Sequence, residues 1–507
     1  MSRSKNVRKG LLAGVINNLL ALALPFVTRT IIIYTFSSAY LGLGGLFTSL
    51  ISVLSISELG FGSALSYILY KPIAENDTQK VCEILSFAKK VFKIIGSVIL
   101  TAGLILLPFI NSLVSEGCPE EINIYILYVL YLANSVVSYF MFSYKRLLFS
   151  ASQRYDIETT IASVTLIGQY VLQIIVLLVT KNYYLFVLMM IFASVANNII
   201  CEIVTKKYYP QYVCQGKLGG DDIKQVKKHV KGVFASKIGS TVYLSVDNIV
   251  ISSLFGVVLL GKYSNYHYMV TTLVAFFAII HNTLRPSLGN YIICENKDNN
   301  FDIFQKITSV YLWLSTFCAC LLICLFQDFI KIWAGESYLF PTLYVFLFTS
   351  MFFIDRLNCM PSLYAEAAGL WNESKWVYLL AAFTNLTLNI LLAHLIGLPG
   401  IPIATMITSI AVCAVGYLYV LFKYYFEKKN QLGLYMKGVL YNVIVQLLII
   451  SLVYYISIQI TVDSIVMLFV KGALVSLSFL VCFATVYVLD INGMKKNVAF
   501  LWSTLKH

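Results

Sequence analysis

Charge is scarce in this chain: Asp, Glu, Lys and Arg make up 12% of its 507 residues, about half of the roughly 25% usual in soluble domains. The 59% of residues that are hydrophobic therefore have too little polar surface to hide behind, and a soluble globular fold is excluded. Cysteine is also sparse where it matters. Of 11 cysteines only Cys118 falls in a segment expected outside, which excludes a disulfide framework, and no pair has metal-ligand spacing in an aqueous segment. The five histidines, among them His281 and His394, form no H-E-x-x-H pattern, so no zinc hydrolase motif is present. Gly256 to Lys262 spells G-x-x-x-x-G-K, but Tyr263 stands where a P-loop needs Ser or Thr for magnesium. No outer loop exceeds about a dozen residues, too short for the catalytic loop of a membrane polymerase or ligase.

What remains is long apolar windows. A bilayer core about 30 Å thick is crossed by roughly 20 apolar helical residues. Fourteen windows of that kind are legible, at 11–33, 41–69, 93–111, 122–144, 159–180, 183–204, 233–256, 263–284, 307–327, 341–365, 376–396, 401–422, 438–459 and 464–489. They are continuously apolar and about twice the length of a barrel strand, which leaves an all-α polytopic membrane protein of about fourteen transmembrane helices. With the N-terminus inside, outer loops keep only Lys181, Lys262 and Lys331 of the 37 Lys and Arg residues. Arg29, Lys237, Arg356 and Lys471 fall within windows and the rest lie on inner segments, so the positive-inside rule places both termini in the cytoplasm. The net charge of +13 is dispersed between windows, and no nucleic-acid partner is expected. The first basic residues run into an apolar stretch without a small-residue cleavage site, as an uncleaved first helix would.

The longest polar segment, Lys206 to Lys231, divides the first twelve windows into two groups of six. The expected organisation is a six-helix lobe over 1–205, a cytoplasmic amphipathic linker over 206–232, a second six-helix lobe over 233–425, two extra helices over 426–489 and an interfacial tail over 490–507. The ends of windows 1 and 7 are weakly alike. Setting Arg29 against Asp247 aligns Ile31–Ile33 with Ile249–Ile251, and one inserted residue aligns Gly42 with Gly261, as parallel internal repeats would.

Three blocks carry a resemblance. YLGLGGLFTSLISVLSISELGFGSALSYILYKPIAE from Tyr40 to Glu75, VDNIVISSLFGVVLLGKYSNY from Val246 to Tyr266, and the stretch from Ala365 to Thr408 containing AEAAGLWNESKW and LIGLPGIPIATMIT resemble the bacterial polysaccharide biosynthesis proteins. That family flips lipid-linked oligosaccharides, the O-antigen and capsule repeat units, and is grouped with the multidrug and toxin extrusion (MATE) exporters and the lipid II flippase. The resemblance implies two MATE-like six-helix lobes, two further helices and alternating access in a bacterial inner membrane. It implies no cofactor, coupling to protons or sodium, and a polyprenyl-diphosphate oligosaccharide as cargo. Polysaccharide polymerase and ligase machinery are the implied partners beside the bilayer itself.

Ionisable side chains within the windows are the functional candidates, because charge at the bilayer centre costs at least about 2.5 kcal/mol per residue. In helix 1, Gly14, Asn18, Pro25 and Arg29 share a face. Arg29 either meets a diphosphate, which guanidinium binds bidentately, or snorkels to the outer interface. In helix 7, Lys237, Thr241, Ser245, Asn248 and Ser252 make a polar face flanked by Asp247, which lines a cavity or packs on polar partners, and Asp247 is a candidate partner of Arg29. Arg356 in helix 10 is the third candidate phosphate contact. The adjacent Asp355 points about 100° away and is expected to need a partner of its own. The resemblance nominates Glu58 for ion coupling, the alternative being a carboxylate bonded to Ser57 or backbone. The expected substrate contacts are thus Arg29, Lys237, Asn248 and Arg356, and the expected coupling or gating residues Glu58, Asp247 and Asp355. Lys471 is expected to snorkel or to line a lipid-tail groove. Two rival functions stand beside the flippase: an ion-coupled multidrug antiporter on the same fold, and a membrane polysaccharide polymerase or ligase.

Overall fold

A computed structural model describes residues 23–58 and 60–506, so the Gly14 and Asn18 end of the first polar stripe lies outside the described residues. The described residues are helical, with no strand among them. Ten of their helices are long and apolar enough to cross a membrane, or eleven if the bent pair Ile124–Phe140 and Ser143–Ala151 is one span. The window 11–33 lies partly outside the described residues, and what is described of it belongs to the short helix Ala23–Thr35. Two compact units divide the chain between Gly261 and Lys262.

The first unit contains α1 (Ala23–Thr35) and α2 (Ser38–Leu54), α3 (Phe61–Ala74), α4 (Thr78–Leu106), α5 (Ile124–Phe140), α6 (Tyr155–Thr180), α7 (Tyr183–Tyr208) and the first part of α8 (Gly220–Cys294). The window 41–69, expected as one continuous helix, is broken. Ser55–Glu58 tightens into a 3₁₀ turn and Gly60 sits at φ 100, a conformation that a Cβ disfavours. Just before the break the Ser52 hydroxyl donates back to the Thr48 carbonyl at 2.8 Å, a local bond that competes with the helical ladder. The segment 257–262, expected as a loop, is helical. The change of direction is concentrated in Gly256, at φ 81 and ψ 167, where Val257 donates its N–H to the Glu116 carbonyl at 3.1 Å.

Two glycines allow α2 and α8 to touch backbone to backbone. A Cβ on Gly42 would stand 1.9 Å from the Val257 carbonyl oxygen, and one on Gly261 would stand 1.8 Å from that of Ser38. The repeat alignment that equates Gly42 with Gly261 also equates Ser38 with Val257, so the contact is reciprocal in the manner of two-fold-related segments. Farther along, Asn248 donates to the Ser49 hydroxyl at 2.9 Å and the ring of His229 packs against that of Tyr67 with centroids 4.4 Å apart. The first part of α8 therefore runs antiparallel along α2 and α3. Its beginning is tied to α4 by the Lys80–Asp222 ion pair, and the segment before it by the Val213 N–H on the Cys82 sulfur at 3.2 Å. Residues 220–255 form one helix without non-helical dihedrals, so the amphipathic stretch that starts at Asp221 runs directly into the polar face bearing Lys237 and Asn248.

The second unit holds the rest of α8 with α9 (Lys297–Ala334), α10 (Thr342–Ala367), α11 (Trp371–Ile396), α12 (Gly400–Phe426), α13 (Lys429–Ser457), α14 (Ile465–Val488) and α15 (Met494–Lys506). Helix α9 is its axis, with 67% of its most apolar window buried. Phe304 packs edge-on against Tyr364 at 4.7 Å and stacks on Tyr435 at 4.8 Å, joining α9, α10 and α13. Cys318, Cys320 and Cys324 are buried packing residues of α9. Lys471 does not snorkel. It is 6% exposed and forms an ion pair with Asp328 of α9 at 2.8 Å, because within reach of its four-carbon arm a carboxylate offers a better partner than the interface.

Candidate functional site

The candidate polar groups within the apolar helices fall in both units. In the first unit Glu58 stands in the break between α2 and α3 and accepts a hydrogen bond from the Tyr139 hydroxyl of α5. The break supplies this geometry: a continuous helix would carry residue 58 on the turn of its neighbours, whereas the 3₁₀ turn swings it toward α5. Nearby, the hydroxyls of Ser55 and Ser135 are 3.4 Å apart. Arg29 is half-buried in α1 within electrostatic reach of Tyr183. The Tyr183 hydroxyl donates to the Tyr40 carbonyl at 3.0 Å and lies 3.4 Å from that of Tyr131. Asp247 and Asn248 are half-buried on α8, and Lys237 is exposed. Toward the Gly256 end the polar face is packed rather than open: the Ser252 hydroxyl donates to the Leu113 carbonyl at 2.7 Å and that of Ser115 to the Ser252 carbonyl at 3.0 Å.

In the second unit Arg356 is 6% exposed. It is ion-paired with Asp355, donates to the Tyr311 hydroxyl at 3.2 Å, and stands over Phe277 at 5.4 Å and Phe352 at 5.8 Å. The expectation of separate partners for Asp355 and Arg356 is thus corrected. Their Cβ vectors diverge, but the long guanidinium arm folds back to the carboxylate, whose own side chain is 51% exposed. The Arg356 Nε is buried with no hydrogen-bond partner among the described residues. A buried, permanently charged donor with a vacant N–H and a half-open counter-ion is suited to exchange that counter-ion for another anion.

Two neighbours were not legible as site residues. Arg285, counted among inner-segment cations, pairs with Glu366 at 3.1 Å and lies 5.0 Å over the Trp371 ring. His281, one turn earlier on α8, is within electrostatic reach of Arg285 and Arg356. The signal available was the i, i+4 spacing of His281 and Arg285, which carries no meaning until α8 is known to face α10. Asn358, two residues beyond Arg356, donates to the Ser409 hydroxyl at 2.8 Å, where a π-helical segment, Ser409–Ala414, interrupts α12. Such segments concentrate at functional sites.

Beside the Lys471–Asp328 pair an open apolar groove of about 550 Å³ runs between α8, α9 and α14, lined by residues such as Leu273, Leu325, Phe329, Leu468 and Gly472. No group of His, Cys, Asp and Glu suited to a metal ion occurs among the described residues.

The described fold is similar to that of solved membrane proteins. The structure of "Lipid II flippase MurJ, inward closed conformation" superposes with a TM-score of 0.65 at 14% identity, covering 95% of this chain and 99% of that one. An inward-facing multidrug resistance MATE family transporter of the MOP superfamily gives 0.63 at 12% identity over 83% and 96% of the two chains. A MATE transporter of Vibrio cholerae gives 0.56 at 13% identity over 84% and 98%. At these identities the likeness establishes the fold alone, one shared with transporters and a flippase. No family model matches the sequence, and no curated protein matches it.

Proposed function

We propose that the protein is a flippase that moves an undecaprenyl-diphosphate-linked oligosaccharide from the inner to the outer leaflet by alternating access, for assembly of a surface polysaccharide such as O-antigen, capsule or exopolysaccharide. The observation that carries this reading is Arg356: buried, within electrostatic reach of His281, with a vacant Nε and a half-exposed counter-ion. A diphosphate offers the bidentate oxygens that guanidinium prefers. Arg29, Lys237 and Asn248 are the proposed contacts in the first unit, and Glu58, Asp247 and Asp355 the proposed coupling or gating acids, for protons or sodium. The apolar groove suits a hydrocarbon tail. The division into lobes 1–205 and 233–425 belongs to the same proposal, as do an inner-membrane location, cytoplasmic termini, and polymerase and ligase partners.

An ion-coupled multidrug antiporter is the second reading, favoured by the exposed carboxylate of Asp355. Proteoliposomes loaded with a fluorescent polyprenyl-diphosphate sugar separate the two. The flippase reading expects transport by the native protein and a loss of about tenfold or more in Arg356→Ala, the scale of one charge-assisted hydrogen bond, with the same unfolding temperature in detergent. Unchanged transport in both Arg356→Ala and Arg29→Ala removes the phosphate site.

A further inference from the structure

We propose that the exposed face of α3, together with His229 of α8, binds the uncharged sugar residues of the lipid-linked cargo, an inference that rests on the flippase reading. Helix α3 buries Ala64, Leu65, Ser66, Leu69 and Pro72. At 100° per residue its other side carries Ser63, Tyr67, Tyr70 and Lys71 within an arc of about 100°, and all four are exposed. This is the reverse of a lipid-facing helix. In α14 of the same protein the exposed large side chains include Ile465, Val466, Phe469, Val470, Leu477 and Leu480, the aliphatic coat that hydrocarbon requires. Helix α3 leaves Ile68 and Ile73 half-buried and exposes, beside Ala74, mainly hydroxyls and phenol rings, so its open face looks into a polar space.

The rings are arranged as a surface. Tyr67 is 55% exposed and Tyr70 42%. Their centroids are 6.4 Å apart, edge to face, while the ring of His229, itself exposed, lies 4.4 Å from that of Tyr67 at a tilt of 48°. Tyr155 of α6 brings its hydroxyl to that of Tyr70. Across the Gly60 break the open side of α2 continues with the exposed Thr48. Formal charge on α3 is confined to Lys71, which the following Glu75 meets at 3.9 Å, so the face is close to neutral and poorly matched to a phosphate. A pyranose has the complementary chemistry: its C–H face stacks on an aromatic ring, and its rim hydroxyls exchange hydrogen bonds with phenol, imidazole and serine. The division of labour follows, with phosphate to the arginines and sugar to the tyrosines.

The test is binding of two probes to the full-length protein in nanodiscs: undecaprenyl diphosphate bearing a trisaccharide of neutral hexoses, and bare undecaprenyl diphosphate. Tyr67→Ala and Tyr70→Ala are expected to weaken the sugar-bearing lipid at least fivefold and leave the bare lipid within twofold, while Tyr67→Phe, which keeps the ring, retains most of the affinity. Equal losses for both lipids, the pattern of a tyrosine that only anchors α3 at the interface, overturn the proposal, as does no loss for either. Native protein that binds neither lipid overturns the flippase reading and this inference with it, an outcome distinct from the other two because it appears before any substitution is made.

Discussion

At the scale of single residues, charged side chains inside helices were legible as candidates, but their partners were not. Sequence marks Arg356, Asp355 and Lys471 as costly and therefore purposeful; it does not say that a guanidinium folds back onto its chain neighbour, or that Lys471 finds Asp328 of a helix 143 residues earlier. Partner choice depends on how far a flexible arm reaches in a packed environment, and no spacing rule encodes that. The Lys471–Asp328 pair yields a stability prediction. Lys471→Met alone strands a carboxylate that is 27% exposed and should cost less than the roughly 3–5 kcal/mol of a fully buried pair, whereas Lys471→Met with Asp328→Leu should restore most of the loss. Thermal unfolding of the three variants in one detergent measures the cycle, and additive single and double losses would show that the pair does not hold α14 to α9.

At the scale of elements, the apolar windows anticipate most of the helices, because continuous hydrophobicity over about 20 residues has few other structural solutions. Their interruptions were less visible. The break at Ser55–Gly60 lies inside an apolar run, and its cause is one glycine dihedral and a serine bonded back onto its own turn, features a hydropathy window averages away. The helical 257–262 segment reads as a loop because Gly256 precedes it and Gly261 and Lys262 end it. The Gly42–Gly261 alignment, by contrast, carried real information, since these two residues meet in a reciprocal contact. Gly42→Ala or Gly261→Ala places a methyl within 1.9 Å of a carbonyl oxygen, so α2 and α8 must part there. The adjoining loop reports the movement, since a Cβ on Gly117 would stand 2.6 Å from a Val258 methyl and Cys118 follows directly. Burial pushes the Cys118 thiol up from its ordinary value, so at neutral pH less thiolate is present and maleimide labelling should be slow, accelerating as pH rises. In either alanine variant labelling at fixed pH is expected to quicken several-fold, and an unchanged rate would mean that the glycine contact does not control this end of the unit.

At the scale of the whole molecule, the all-helical membrane fold was within reach of composition and hydropathy, and the MurJ and MATE structures share it over most of their length. Substrate was not within reach, since the one fold is shared by a lipid II flippase and multidrug transporters. His281 and Arg285 became meaningful only once α8 and α10 were seen to face one another. The central claim is that buried cations receive an anionic, phosphorylated headgroup. It is tested most directly by measuring, in the same proteoliposomes, uptake of a fluorescent polyprenyl-diphosphate sugar and of a cationic dye under a proton or sodium gradient. The account predicts transport of the diphosphate lipid, with inhibition by Arg356→Ala and no uptake of the dye. Gradient-driven dye transport with no movement of the lipid would contradict it.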